Sequence, residues 1–179
     1  MTTVRMIEYE EASAEVRAVF DDIMESRGID FVPNFWKTIA HHPPTLKSVW
    51  SHLKRVMAPG AVDAKTKEMI AIAVSATNGC EYCINSHIAG ARKLGMSDAE
   101  FGELMAVVGM FNQTNKLVEG YQVQVDERIR RFVQGEDGKG PLPREAPAKA
   151  SAKPAKRAAA RRADSAERRK APSRSRRPA

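Results

Sequence analysis

After Gln134 the chain loses the means to build a core. Residues 135–179 contain a single large aliphatic or aromatic residue, Leu142. A stretch so poor in apolar side chains cannot bury enough surface to offset the entropy of ordering its backbone. The sequence therefore predicts a folded body over 1–134 and a disordered, Lys/Arg/Ala/Pro-rich tail over 135–179. Charge divides at the same place. The whole chain carries a formal +7, yet residues 1–134 hold 15 Lys+Arg against 17 Asp+Glu, a net of −2, and residues 135–179 hold 14 against 5, a net of +9. The basic balance that suggests a polyanionic partner belongs to the tail and not to the body. With no aromatic residue on which bases could stack, the tail suits weakly sequence-dependent, strongly salt-dependent contact with nucleic acid. A solvated tail, or one that reaches an acidic partner, is the other reading.

The body is patterned as helix almost throughout. Val16, Val19, Phe20 and Ile23 follow the spacing of one helical face, and Gly28 is placed to end that helix. Phe35, Trp36 and Ile39 suggest a short helix stopped by Pro43. Pro44 then suits the first turn of a longer one, striped by Leu46, Val49, Trp50, Leu53, Val56 and Met57 and broken at Pro59-Gly60. Asp63 can cap a helix running to about Ala76, in which Met69, Ile70, Ile72 and Val74 make more than one face apolar, so a central, buried position is expected. After Asn78-Gly79 a helix is expected from Cys80 to Leu94, stopped by Gly95. Ser97 with Glu100 forms a capping box for a helix carrying Phe101, Leu104, Met105 and Val108. A last long helix is expected from about Asn112 to Phe132. The fold class is all-α, with about seven helices.

The first ten residues hold no apolar run of signal-peptide length, and no segment approaches the about 18 uncharged apolar residues that span a bilayer. A soluble, cytoplasmic protein is expected, without membrane contact. In a reducing compartment two cysteines three residues apart point to redox or metal chemistry rather than to a structural disulfide. Steps of three and four residues keep Cys80, Cys83 and His87 on one helical face. A C-x-x-C pair can close a disulfide and reopen it, and the exchange needs a thiolate, which a helix N-terminus or a nearby base favours. Cys80 falls in the expected first turn, and His87 lies one turn beyond Cys83. Glu68 is the acidic residue in the apolar run of the preceding helix. If the two helices fold back on each other, its carboxylate comes near the thiols and can pass protons to sulfur or imidazole. A metal site of Cys80, Cys83, His87 and Glu68 would draw three ligands from one helix, whereas structural zinc sites usually draw on two separated pairs. His41 and His42 stand at a helix end and His52 lies off its helix's apolar stripe, so none is assigned chemistry. No phosphate-binding glycine loop and no flavin or nicotinamide fingerprint is present, and no cofactor is expected.

Glu68, eleven residues, Cys80-Glu81-Tyr82-Cys83, three residues and His87 resemble the active-site pattern of the alkylhydroperoxidase D (AhpD-like) group in the carboxymuconolactone decarboxylase superfamily. The surrounding KTKEMIAIAVSATNGCEYCINSHIAGARKLGMS is also similar to that family, as is VPNFWKTIAHHP upstream. The resemblance covers roughly residues 15–134. It implies an all-helical domain that assembles as trimers or hexamers, and a redox dithiol that reduces peroxides or relays electrons to a peroxiredoxin. Carried over by position, Glu68, Cys80, Cys83 and His87 become the proton-relay and thiol residues. One position departs: the prototype has a histidine immediately before the second cysteine, where this chain has Tyr82, and a phenol is a poor base at neutral pH.

The expected function is that of an oxidoreductase, a thiol-dependent peroxidase or disulfide reductase. Cys83 is the attacking thiol and Cys80 the resolving one, although the helix-terminus argument alone would favour Cys80 as attacker. A dithiol or thioredoxin-like donor must regenerate the pair. Two other classes stand beside it: a carboxymuconolactone decarboxylase-like enzyme with no redox role, and a nucleic-acid-associated protein that acts through its tail.

Overall fold

The computed structural model of the chain describes residues 2–136. They form a 3₁₀ turn at Tyr9–Glu11 and seven α-helices: α1 (Ala14–Arg27), α2 (Asn34–Ile39), α3 (Pro43–Met57), α4 (Ala64–Asn78), α5 (Glu81–Lys93), α6 (Asp98–Gly120) and α7 (Glu127–Gln134). No strand occurs among the described residues, and the fold class is all-α as expected. The tail expected over 135–179 lies outside the described residues from position 137 onward. A first compact unit ends at Gln124 and a second begins at Val125.

The helix ends of the first unit follow local chemistry. The hydroxyl of Ser13 and the carboxylate of Asp63 accept backbone N–H groups of α1 and α4, and Ser97 with Glu100 closes the capping box of α6. Gly28 and Gly79 end α1 and α4 in the left-handed conformation, at φ +58° and +69°. Only glycine takes that conformation at no steric cost.

Two apolar clusters organise the unit. Val16, Phe20 and Ile23 of α1 pack with Trp36 of α2 and with Leu46 and Trp50 of α3, and the rings of Trp36 and Trp50 meet edge to face at 5.3 Å. The second cluster joins Ile72 of α4, Ala91 of α5 and Met96. Glu68 near the start of α4 meets His87 and Gly90 near the end of α5, so these helices form an antiparallel hairpin about the Gly79 turn. That hairpin carries the site.

Three expectations need correction. The helix expected from about Asn112 to Phe132 does not start there, because α6 runs unbroken from Asp98 to Gly120. An interior glycine such as Gly109 costs a helix only about 1 kcal/mol. Asn112, instead of capping a new helix, donates its amide to the Val108 carbonyl and to Thr77 Oγ1. The break comes at 121–126, where Gln122 takes φ +50°. Second, α4 is not enclosed on all sides: Ile72 is fully buried, but Ile70 and Val74 are 52% and 54% exposed. Among the described residues, α5 and the start of α6 cover the Ile72 face of α4, and the Ile70–Val74 face is left open. Third, α5 begins at Glu81, with Cys80 as its N-cap rather than inside its first turn.

Candidate active site

Cys80 sits where the chain leaves the Gly79 turn and enters α5. As N-cap it presents Sγ to the unsatisfied N–H groups of the first turn, and Sγ accepts from Cys83 N at 3.3 Å. An N–H aimed at sulfur stabilises negative charge there. One turn along, Cys83 is joined to Cys80 in a disulfide, the two Cα atoms being 5.3 Å apart. That spacing lies within the range a disulfide bridges without backbone movement. Both residues are half-buried.

His87 follows Cys83 by one turn on α5, and its Nδ1 lies 2.7 Å from Glu68 Oε2. The two side chains are only 19% and 15% exposed, so solvent competes little for this bond. With the carboxylate oxygen as acceptor, the ring donates from Nδ1. The opposite ring nitrogen, Nε2, is then left free to take or give a proton at the far edge of the imidazole. Glu68 thus holds the His87 ring through Nδ1 and leaves Nε2 at its outer edge.

A cleft of about 880 Å³ opens beside this pair, with Leu53 and Met57 of α3, Phe31 of the α1–α2 loop and Tyr82 among its walls. Glu68 and His87 both line it, while neither cysteine does. The structure therefore brings together Glu68 with His87, and Cys80 with Cys83, as two adjacent pairs on one hairpin. Behind Trp50 and Lys54, which line the cleft, Asp22 of α1 accepts from Trp50 Nε1 at 2.7 Å and from Lys54 Nζ at 2.8 Å. The Lys54 ammonium, and after it the indole N–H, hold the Asp22 carboxyl below its ordinary value.

Tyr82, which stands where the prototype has histidine, has a structural partner. Its hydroxyl accepts from the backbone N–H of Phe35 at 3.2 Å, satisfying a donor of the first turn of α2. The phenol thus ties the start of α5 to the start of α2. The Asp22–Trp50–Lys54 group and the Tyr82–Phe35 bond escaped the sequence reading, because both join residues 28 to 47 positions apart. His42 caps α3 through Nδ1 and His41 bonds to the Arg5 carbonyl, while His52 is exposed. Among the described residues, no three His, Cys, Asp or Glu side chains converge as a metal ion requires. No helix among them is long and apolar enough to cross a membrane.

Residues 43–125, which include Glu68, Cys80, Cys83 and His87, match the model of the carboxymuconolactone decarboxylase family. A curated relative, "Uncharacterized protein 4 in cox locus" of Paracoccus denitrificans, is 41% identical over 54 residues, which is 30% of this chain. The chain spans about half the length of that relative, 49%. Among solved structures, the alkylhydroperoxidase AhpD core of Rhodospirillum rubrum is 47% identical with a TM-score of 0.70, over 73% of this chain and 98% of that one. Nearly the whole of a solved AhpD core is thus matched in both sequence and helical arrangement, and the chain belongs to the AhpD-like carboxymuconolactone decarboxylase superfamily.

Proposed function

We propose that the protein is a thiol-dependent oxidoreductase that reduces a peroxide or a partner disulfide through Cys80 and Cys83. The observation that carries this reading is the adjacency of a bridged cysteine pair and a half-buried His87–Glu68 pair on one helical hairpin. In the reduced protein His87 takes the Cys83 thiol proton through solvent, and Glu68 holds the ring so that Nε2 receives it. The Cys83 thiolate attacks the terminal oxygen of a hydroperoxide. An S–O bond forms, the O–O bond breaks, and the alkoxide leaves as an alcohol with the proton from His87. Cys80 then attacks the sulfenic sulfur, an S–S bond forms and water departs. Two electrons have passed from the dithiol to the peroxide.

An external dithiol or thioredoxin-like donor closes the cycle by exchange at Cys83, with Cys80 as the leaving sulfur, and a peroxiredoxin partner stands downstream as an acceptor of electrons from the reduced pair. The Cys83 N–H that points at Cys80 Sγ suits Cys80 to that role, since a thiol that carries charge well leaves faster. Such a cycle belongs in a reducing compartment such as the cytoplasm. The protein works as a homo-oligomer, a trimer or hexamer, whose copies meet through α4 and α6. The support is apolar surface: besides Ile70 and Val74, the α6 residues Val107, Met110, Phe111, Leu117 and Val118 are all exposed in the single chain. The basic residues 135–179 form a separate accessory segment, capable of salt-sensitive contact with nucleic acid.

One observation favours a second reading. The cleft is lined by Glu68 and His87 without the cysteines, as an acid–base enzyme of the decarboxylase type would need. Peroxide consumption with dithiothreitol as donor separates the two. Cys80→Ser and Cys83→Ser should each abolish turnover, and deletion of residues 135–179 should leave it intact while removing retention on DNA at low salt. Unchanged turnover in both cysteine variants overturns the redox reading.

A further inference from the structure

We propose that Gly90 is a positioning residue that seats the Glu68 carboxylate against His87. For its consequence in turnover the proposal rests on the relay reading of that pair; for its geometry it does not. Gly90 lies inside α5, where the backbone is helical and any residue would fit conformationally, and glycine there weakens the helix relative to alanine. The reason for a glycine lies across the hairpin. A Cβ at position 90 would stand 2.8 Å from Cδ, 2.9 Å from Oε1 and 3.0 Å from Oε2 of Glu68. These are closer than carbon and oxygen approach without one of them moving. By contrast, a Cβ at Gly102 or Gly109, both interior to α6, would meet nothing within 4 Å.

The packing leaves the carboxylate as the part that must yield. Ala91, next to Gly90, and Ile72, one turn beyond Glu68, are both fully buried in the cluster that joins α4 to α5. The helices are therefore held at their separation, and a methyl at position 90 cannot be relieved by their moving apart. Glu68, by contrast, ends in a flexible side chain. His87 and Gly90 are three residues apart on one face of α5, so the carboxylate lies between the imidazole and the bare backbone of the next turn. Filling the second surface pushes it off the first and breaks the 2.7 Å bond to Nδ1.

The test compares full-length wild type with Gly90→Ala, Gly102→Ala, Glu68→Ala and the Gly90→Ala/Glu68→Ala double variant. In the disulfide form, proton NMR should show a low-field His87 Nδ1–H resonance that disappears in Glu68→Ala. Gly90→Ala should lose that resonance and lower kcat about tenfold or more with KM unchanged, while its helical circular dichroism and melting stay at or above wild type. Gly102→Ala should keep both the resonance and the rate. In the double variant, truncation at position 68 leaves the new methyl room, so it should turn over like Glu68→Ala alone. A Gly90→Ala protein that keeps resonance and rate overturns the proposal, and so does full additivity in the double variant, which would place the methyl's effect elsewhere. If Glu68→Ala turns over as wild type while Gly90→Ala still loses the resonance, the seat stands and the relay reading falls.

Discussion

Replacing Glu68 in two steps separates its charge from its shape. Glu68→Gln keeps an oxygen able to accept from His87 Nδ1 and removes the charge, whereas Glu68→Ala removes both. The bond is 2.7 Å long and both side chains are less than one-fifth exposed, so water cannot readily take the lost partner's place. A hydrogen bond to a charged group contributes about 1.5–3 kcal/mol and a neutral one about 0.5–1.5 kcal/mol. The Glu68→Gln variant therefore forfeits about 1–1.5 kcal/mol, and Glu68→Ala the whole amount. If the orientation of His87 is fully expressed in proton transfer, turnover falls about 5- to 10-fold in the first variant and about 10- to 150-fold in the second, at ~1.4 kcal/mol per tenfold. The assay is the initial rate of consumption of an alkyl hydroperoxide with dithiothreitol in excess. KM should stay near wild type, since the carboxylate acts on the base and not on the substrate. A Glu68→Gln protein as slow as Glu68→Ala refutes the charge argument, and a Glu68→Ala protein at the wild-type rate refutes the relay.

Three further outcomes follow from the packing and the charges. Ile72→Ala empties a fully buried position between α4 and α5 and should cost about 2–5 kcal/mol in urea unfolding; a loss below about 1 kcal/mol would mean this cluster does not fix the hairpin. Tyr82→Phe removes the acceptor for Phe35 N–H and should cost about 0.5–1.5 kcal/mol in thermal unfolding, with peroxide turnover unchanged. A marked loss of turnover there would give the phenol a chemical role. The Glu100 carboxyl is pushed down to about 2 by the Lys65 ammonium first, and then by the Ser97 N–H and hydroxyl. Its folded value lies below its unfolded one, so its contribution is complete above about 4.5 and fades as pH falls towards about 2. Glu100→Gln should lack that part of the acid-unfolding curve, and curves of wild type and variant that run parallel through this window would contradict the assignment.

What the sequence made legible was whatever is settled within a turn or two. Ser13, Asp63 and the Ser97/Glu100 pair cap their helices, and Gly28 and Gly79 end theirs, because each of these acts on backbone groups three or four residues away. Leu46, Trp50 and Leu53 of the α3 stripe face the core for the same reason of period, while Val49 and Val56, at its edges, stay exposed. The pairing of Glu68 with His87 was legible only as a possibility, since 19 residues and a turn separate them. Tyr82 with Phe35 and Asp22 with Trp50 were not legible at all, because nothing local marks one polar atom for a particular partner across the fold. Gly90 was the least legible: read along α5 it looks like a weak point in a helix, and only the carboxylate that lies against it explains it.

The exposed face of α4 has the same non-local origin. An apolar residue at a given helical phase says that something must cover it, not which molecule supplies the cover. Ile72 finds its partners within the chain, in Ala91 and Met96. Ile70 and Val74, two positions to either side, do not. A helix that is apolar on more than one face is the pattern expected for one lying between its own core and a second copy, and a reader of sequence alone assigns both faces to one interior. In the proposed assembly this gives α4 a double duty. The helix that offers Ile70 and Val74 to a neighbouring copy also carries Glu68, two residues before Ile70, into the site. Burial of its outer face then holds down the same turn of helix from which the carboxylate reaches His87, so association of the chains and alignment of the proton relay depend on one rigid element.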